Sequence, residues 1–444
     1  MQRRSFLALL AASPALAQLL VACGDDTPGT TQPNSTQPNS TLPAAGGRAS
    51  LRSDTARATD GADPAPAAAA VNAFAADLYD LLLEQQPDAN LVFSPASIAL
   101  ALAMTSAGAK GTTLDEMNAV LHATDPATFH RAMNGLAALL DGLDQQQDNA
   151  AEGGTGVSEV KLNIANSLWG QSGLSFEQAF LDLLAAEYGA GLETVDYTAN
   201  PEAARGAINE WVAEATEERI PQLLAPGSIT ADSRLTLVNA IYLKANWLDT
   251  FSEEMTADEP FTTAAGAEVT AAMMHRTDDM AYAEGAGWQA VELPYVFGSL
   301  SFTAVLADDA TGPAIEEVQG AIGARRVDLG LPRFDIETST SLADTLAQLG
   351  MATAFSGAAD FSGMTAAERL VIGDVIHQAN ITTDEIGTEA AAATAVVMDV
   401  TSAPMPTEPV VLTFDRPFTF WLRERSTGAV LFMGRVADPS QTRS

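Results

Sequence analysis

The sequence predicts an α+β body, and three observations carry that assignment. Apolar residues recur at helical spacing early in the folded region, whereas period-two alternation appears late. Helix and strand patterns do not alternate along the chain as βαβ winding demands. Of 444 residues, 47% are hydrophobic and 18% charged, a balance that can bury a large core.

The first helix puts Val71, Phe74, Leu78, Leu81 and Leu82 on one face. Ser94-Pro95 reads as an N-cap with Pro at the first helical position, followed by Ile98, Leu102 and Met104. Thr113 and Glu116 have capping-box spacing for the next helix. Asn200-Pro201 opens another, with Ile208, Trp211, Val212 and Ala215 as its stripe and Ile220-Pro221 as its stop. Leu235, Leu237, Ile241 and Leu243 then alternate as a strand. Phe418, Phe420 and Leu422 do the same, and a Ser426-Thr427-Gly428 turn leads into Val430 to Val436.

Charge and composition exclude several function classes. A net charge of -35 without a dense Lys/Arg cluster argues against nucleic acid and against adhesion to anionic lipid. No Gly-x-Ser-x-Gly elbow occurs. His122, His130, His275 and His377 are scattered without metal-ligand spacing, so neither an enzyme nor a metal or cofactor site is expected. After the N-terminus no apolar run is long enough to span a membrane.

The N-terminus has the order of an export signal: Arg3-Arg4, an apolar run from Phe6 to Leu20, then small residues. Leu20-Val21-Ala22-Cys23 resembles a bacterial lipobox, which implies cleavage after residue 22 and lipid attachment to Cys23. Arg3-Arg4-Ser5-Phe6-Leu7 resembles, more weakly, a twin-arginine export motif; the bland alternative is an ordinary secretion signal with an incidental Cys. Export to the cell envelope, lipid-anchored or released, is the expectation. Cys23 is the single cysteine, so no internal disulfide can form. Residues 23–70 are rich in Pro, Ser, Thr and Ala and read as a disordered tether, leaving 71–444 as one folded domain.

One stretch asks for a special explanation. Asp384-Glu385-Ile386-Gly387-Thr388-Glu389 runs into Ala390, Ala391, Ala392, Ala393 and Thr394, then Val396, Val397, Met398 and a Pro-broken segment from Thr401 to Pro409. Strand-forming, nearly uncharged residues on a surface loop point to a segment that can become a strand. A flexible linker or a short helix is the bland alternative, since alanine favours helix.

Longer motifs now support a resemblance. Asn90-Leu91-Val92-Phe93-Ser94-Pro95-Ala96-Ser97-Ile98, Leu237-Val238-Asn239-Ala240-Ile241-Tyr242-Leu243-Lys244-Ala245-Asn246-Trp247, Leu331-Pro332-Arg333-Phe334 and Leu349-Gly350-Met351 occur in order. Asp415-Arg416-Pro417-Phe418 and Phe432-Met433-Gly434-Arg435-Val436 complete the series. From Val71 to Pro439 the chain resembles the serpins, the suicide inhibitors of proteases.

That resemblance implies three β-sheets, eight to nine helices and an exposed reactive-centre loop, about 385–409, that inserts into the largest sheet. Inserted as a strand, Thr388, Ala390, Ala392, Thr394, Val396 and Met398 would face inward and Glu389 outward. The resemblance places Glu385 beside Arg333 and Trp247 at the top of that sheet. It places Ser94, Asn239 and His377 beneath the strands that part. It also implies a covalent complex with a serine protease, or a cysteine protease, formed by a monomer. Counting from Glu385 puts the cut at Thr401-Ser402, while counting back from Phe414 gives a position near Met405; Met398 and Val400 remain candidates. All are uncharged, which points to an elastase- or subtilisin-like target. Thr388→Arg is expected to convert inhibitor into substrate, because a charge would enter the core. A non-inhibitory serpin acting as a binding or chaperone-like surface protein is the alternative.

Overall fold

A computed structural model of the chain describes residues 47–148, 157–388 and 408–442. Eight α-helices occur among them: α1 (Ala65–Gln85), α2 (Pro95–Ser106), α3 (Gly111–Val120), α4 (Pro126–Asp141), α5 (Gln178–Tyr188), α6 (Pro201–Ala215), α7 (Ile315–Ala321) and α8 (Ala343–Leu346). Three helix starts, those of α2, α4 and α6, are capped by a side chain. Ser94 caps α2 by accepting from the Ser97 amide, with Pro95 at the first position, and Asn200 does the same for α6 through the Ala203 amide.

The expected capping box at α3 does not form. Lys110 occupies the cap position without a side-chain bond. Thr113 Oγ1 accepts from the Asp360 amide at 3.0 Å, and the Glu116 carboxylate receives Thr353 N at 2.8 Å and Thr353 Oγ1 at 2.7 Å. Partners more than two hundred positions away thus outcompete the local motif. The α6 stop also comes early: the helix ends at Ala215, and Glu217 and Glu218 follow with positive φ before Ile220-Pro221.

The strands form two sheets. In the first, the order across the sheet is β1 (Ala49–Leu51), β5 (Leu192–Val195), β4 (Val157–Gln171), β6 (Leu235–Asn246), β14 (Gly387–Thr388), β13 (Asp374–Thr383) and β12 (Phe334–Ser341), with β3 (Gln145–Asp148) pairing on β4. In the second, it is β15 (Val410–Thr413), β11 (Gly323–Pro332), β8 (Glu268–Gly285), β9 (Trp288–Pro294), β10 (Leu300–Ala307), β16 (Phe418–Glu424), β17 (Val430–Val436) and β2 (Leu91–Phe93), with β7 (Ala257–Thr262) on β8. The two smaller sheets implied by the resemblance are joined because β8 is 18 residues long. Its first part pairs with β7, its middle with β11 and its end with β9.

The main core lies between the sheets, and α2 runs through it with every residue buried, so it needs no polar face. Strand β6 is the spine of the first sheet. Leu235, Leu237, Ile241 and Leu243 face that core, while Val238 and Ala240 join Trp169, Ile208 and Val212 in a second cluster beneath α6. Both faces are covered, so the alternation read from the leucines marks two cores rather than core and solvent.

The tether boundary at residue 70 needs correction. β1 pairs antiparallel with β5, Ala58 N donates to Ala186 O at 2.8 Å, and α1 begins at Ala65 with Ala67, Ala68 and Ala70 buried. Gly191 leaves room for this strap, since a Cβ there would lie 2.6 Å from Leu51 O. Composition suggested a solvated linker because the strap is held by backbone pairing to a distant edge strand, which composition does not register. The proposed signal peptide, Cys23 and the tether as far as residue 46 lie outside the described residues.

Candidate functional site: the mouth of the first sheet

Strands β6 and β13 run parallel and pair directly only over Thr236–Ala240 and Asp374–Gln378. Above that point they diverge, and β14 occupies the opening, antiparallel to both. Thr388 lies opposite Ala245 on one side and Thr383 on the other. Gly387 and Thr388, just ahead of the alanine run, are therefore already a strand of the sheet. Thr388 takes the inward parity and is 1% exposed. Gly387 takes the outward one, where a Cβ would lie 2.1 Å from Ala245 O, so glycine is required for the close approach.

A tight turn feeds this strand. Asp384 Oδ1 accepts from the amides of Ile386 and Gly387 at 2.8 and 3.1 Å, and Asp384 N donates to Gly387 O at 3.0 Å. Trp247 grips the turn from the other side: its indole N–H donates to Asp384 O at 2.9 Å and its amide to Ile386 O at 2.8 Å. The Phe251 amide donates to Glu385 O at 2.9 Å.

Glu385 points into the protein and is buried, while Arg333 from the β11–β12 junction covers it, its side chain 45% exposed. Arg333 Nε and Nη2 donate to Glu385 Oε1 at 2.8 and 2.5 Å, and the Thr256 hydroxyl donates to the same oxygen. Burial pushes the Glu385 carboxyl up, but these bonds outweigh it and hold the group below its usual value. Asp384, without an equivalent cation, is pushed up by burial.

Deeper in the sheet sits a closed polar network. His377 on β13 lies opposite Asn239 on β6, and its ring contacts the Asn239 Oδ1. Its Nε2 accepts from the Ser94 amide at 3.0 Å. Because that amide can only donate, Nε2 is bare and Nδ1 carries the proton toward Asn239. Asn239 Nδ2 in turn donates to Asn166 Oδ1 at 2.6 Å and to Ser97 Oγ. Burial depresses His377 to about 3, which keeps the ring neutral.

The structure thus brings Glu385, Arg333 and Trp247 into one cluster and Ser94, Asn239 and His377 into another. Ser94 enters through its backbone, its hydroxyl being engaged as the α2 cap. Side chains not singled out from the sequence also take part: Thr256, Ser97, Asn166 and Tyr295, whose hydroxyl lies 2.6 Å from Thr388 Oγ1. Ser97, three residues beyond the cap, and Asn166, a polar interruption in a strand, left a local signal; Thr256 and Tyr295 left none. Glu389, Ala390, Ala391, Ala392, Ala393 and Thr394, and the candidate cut sites Met398, Val400, Thr401, Ser402 and Met405, lie outside the described residues.

Comparison with known proteins identifies the family. Residues 69–439 match the family model described as serpin (serine protease inhibitor). An uncharacterized serpin-like protein of Thermococcus kodakarensis is 36% identical over 386 residues, covering 84% of this chain and 86% of its own. The human leukocyte elastase inhibitor is 35% identical over 387 residues, covering 82% and 97%. The crystal structure of the thermophilic serpin tengpin in its native state superposes with a TM-score of 0.75 at 25% identity, covering 87% of this chain and 97% of tengpin. With a family match across the whole folded body and a loop strand seated at the mouth of its main sheet, this chain belongs to the serpin family.

Proposed function

We propose that this serpin is a suicide inhibitor that traps a serine protease by drawing its own cleaved loop into the first sheet. The observation that carries the reading is β14: two loop residues already lie between β6 and β13, in the parity that insertion requires. Extending that register takes Ala390 to Leu243 and Ile381, Ala392 to Ile241 and Ala379, and Thr394 to Asn239 and His377. Small side chains thus meet the apolar floor. The one hydroxyl among the next inward residues arrives at the buried polar pair.

In the reaction, the protease serine hydroxyl adds to the scissile carbonyl and the peptide C–N bond breaks. The new amine leaves with the proton, and an ester joins protease to loop. Freed at that end, the loop zips downward and separates the parallel pairs below Ala240. Each added sheet hydrogen bond contributes about 1 kcal/mol. The protease is carried along and its active site distorts. Loss of one oxyanion-hole donor alone slows hydrolysis by about a hundred- to thousandfold, so the ester persists.

The uncharged candidates for the cut residue support a target with an apolar specificity pocket, and the human relative's description as a leukocyte elastase inhibitor agrees. Cys23 is proposed as the lipid attachment point that retains the inhibitor on the cell envelope; Cys23→Ala should release it into the medium. The central test mixes the folded body with serine proteases of elastase, subtilisin and trypsin type. An SDS-resistant band at the summed mass is expected with the first two. Cleavage without any such band, together with a clipped molecule that melts no higher than the intact one, overturns the reading.

A further inference from the structure

Tyr295 follows β9 and is fully buried. It pairs with Trp247 through an isolated β-bridge, and the two rings stack with centroids 4.6 Å apart and planes 9° from parallel. Its hydroxyl lies 2.6 Å from Thr388 Oγ1. A phenylalanine would stack on the indole equally well, so stacking does not explain the hydroxyl. Across β14, the hydroxyl of Thr383, the residue opposite Thr388, is buried without a hydrogen-bond partner. The Thr388 side chain is therefore satisfied from the sheet floor rather than from the neighbouring strand.

We propose that Tyr295 is a positioning residue that selects a hydroxyl at position 388 and thereby holds β14 in the sheet before cleavage. Being small and uncharged is then not sufficient at position 388. A side chain without a hydroxyl leaves the phenol O–H unpaired in a sealed apolar site, and withdrawal of β14 does the same. The phenol stays protonated, since burial raises it far above its ordinary value, so the contact is a hydroxyl–hydroxyl bond in which either oxygen can donate. Trp247 holds the backbone of the preceding turn while Tyr295 holds the first inward side chain, and the stack keeps the two grips in register. Such a seeded strand has its nucleation already accomplished when the protease cuts, which favours insertion over release of the protease.

This inference rests on the insertion reading but is tested without a protease. Hydrogen exchange at the Gly387 and Thr388 amides is followed in the uncleaved chain for wild type, Thr388→Val, Thr388→Ser, Tyr295→Phe and the Val/Phe double variant. The isosteric Thr388→Val and Tyr295→Phe should each speed exchange about tenfold, the equivalent of one buried hydrogen bond. Thr388→Ser should keep wild-type protection. The double variant should be no worse than either single one, because both remove the same bond. Exchange in β16 and β17, remote from the mouth, should not change. Wild-type protection in Thr388→Val, additive losses in the double variant, or loosening of β16 and β17 to the same degree would each overturn the proposal. If Tyr295→Phe does not fold, Thr388→Val against Thr388→Ser decides alone. A chain that traps no protease yet shows this exchange pattern sinks the trapping reading and leaves the role of Tyr295 standing.

Discussion

Arg333 closes over Glu385 from solvent, so that a half-exposed guanidinium holds a buried carboxylate at the point where the chain turns into β14. The asymmetry decides which partner matters. An exposed arginine loses little when freed, whereas the carboxylate has lost its water and relies on Arg333 and Thr256.

Arg333→Gln should therefore destabilise the uncleaved form by about 1–3 kcal/mol, toward the lower end because the guanidinium is partly screened. It should also let the sheet accept a synthetic peptide spanning residues 388–398 faster than wild type. Equal melting temperature and equal peptide uptake would show that the pair does not restrain the mouth.

His377 makes stability depend on pH. Its folded value is about 3 and its ordinary value 6.5, so between these the unfolded chain binds a proton that the folded chain refuses. Stability then falls as pH drops from about 6.5 toward about 3, with a limiting slope of about 1.4 kcal/mol per pH unit. Partly buried His130 is also depressed by burial and acts with the same sign, so the informative quantity is a difference between variants. Denaturant unfolding at pH 5.0 and 6.5 should show a smaller change for His377→Gln than for wild type. An identical change would mean that His377 is not buried neutral.

On the proposed insertion, continuing the register of Thr388 would bring Thr394 to Asn239 and His377. If β6 and β13 part in that insertion, those two would lose each other and the arriving hydroxyl would become their available partner. Thr394→Val should leave the intact protein unaltered but reduce the stabilisation gained on cleavage by about 1–3 kcal/mol. Calorimetry of intact and clipped forms measures this, and an undiminished gain would refute the register.

The strap is the fourth test. Arg57 Nε donates to Asn134 Oδ1 at 3.0 Å, its Nη1 meets Asp141 at 2.7 Å, and Asn134 Nδ2 donates to Ala58 O at 2.9 Å. With β1 these contacts tie the segment to α4 and β5. A chain beginning at residue 63 should melt several degrees below one beginning at residue 47, given roughly 2–4 °C per kcal/mol for a large domain. Coincident transitions would return the segment to the status of a tether.

Legibility followed the range of the interactions. Ser94 as the α2 cap and Asn200 as the α6 cap were readable because each bond closes within three residues. Thr113 and Glu116 had the same local spacing and were misread, since their partners come from Asp360 and Thr353. Arg333, Glu385 and His377 were placed through family motifs rather than through any pattern of their own. Tyr295 and Thr256 escaped because nothing near them in the chain hints at Thr388 or Glu385.

The amino-acid order by itself determined that a run of small, uncharged residues with strand parity follows a glycine hinge, because side-chain size and charge are local properties. That Gly387 and Thr388 already lie in the sheet was decided only by the tertiary structure. The spacing of β6 and β13, closed by direct pairing below Ala240 and opened above it around Thr388, depends on residues more than one hundred positions apart.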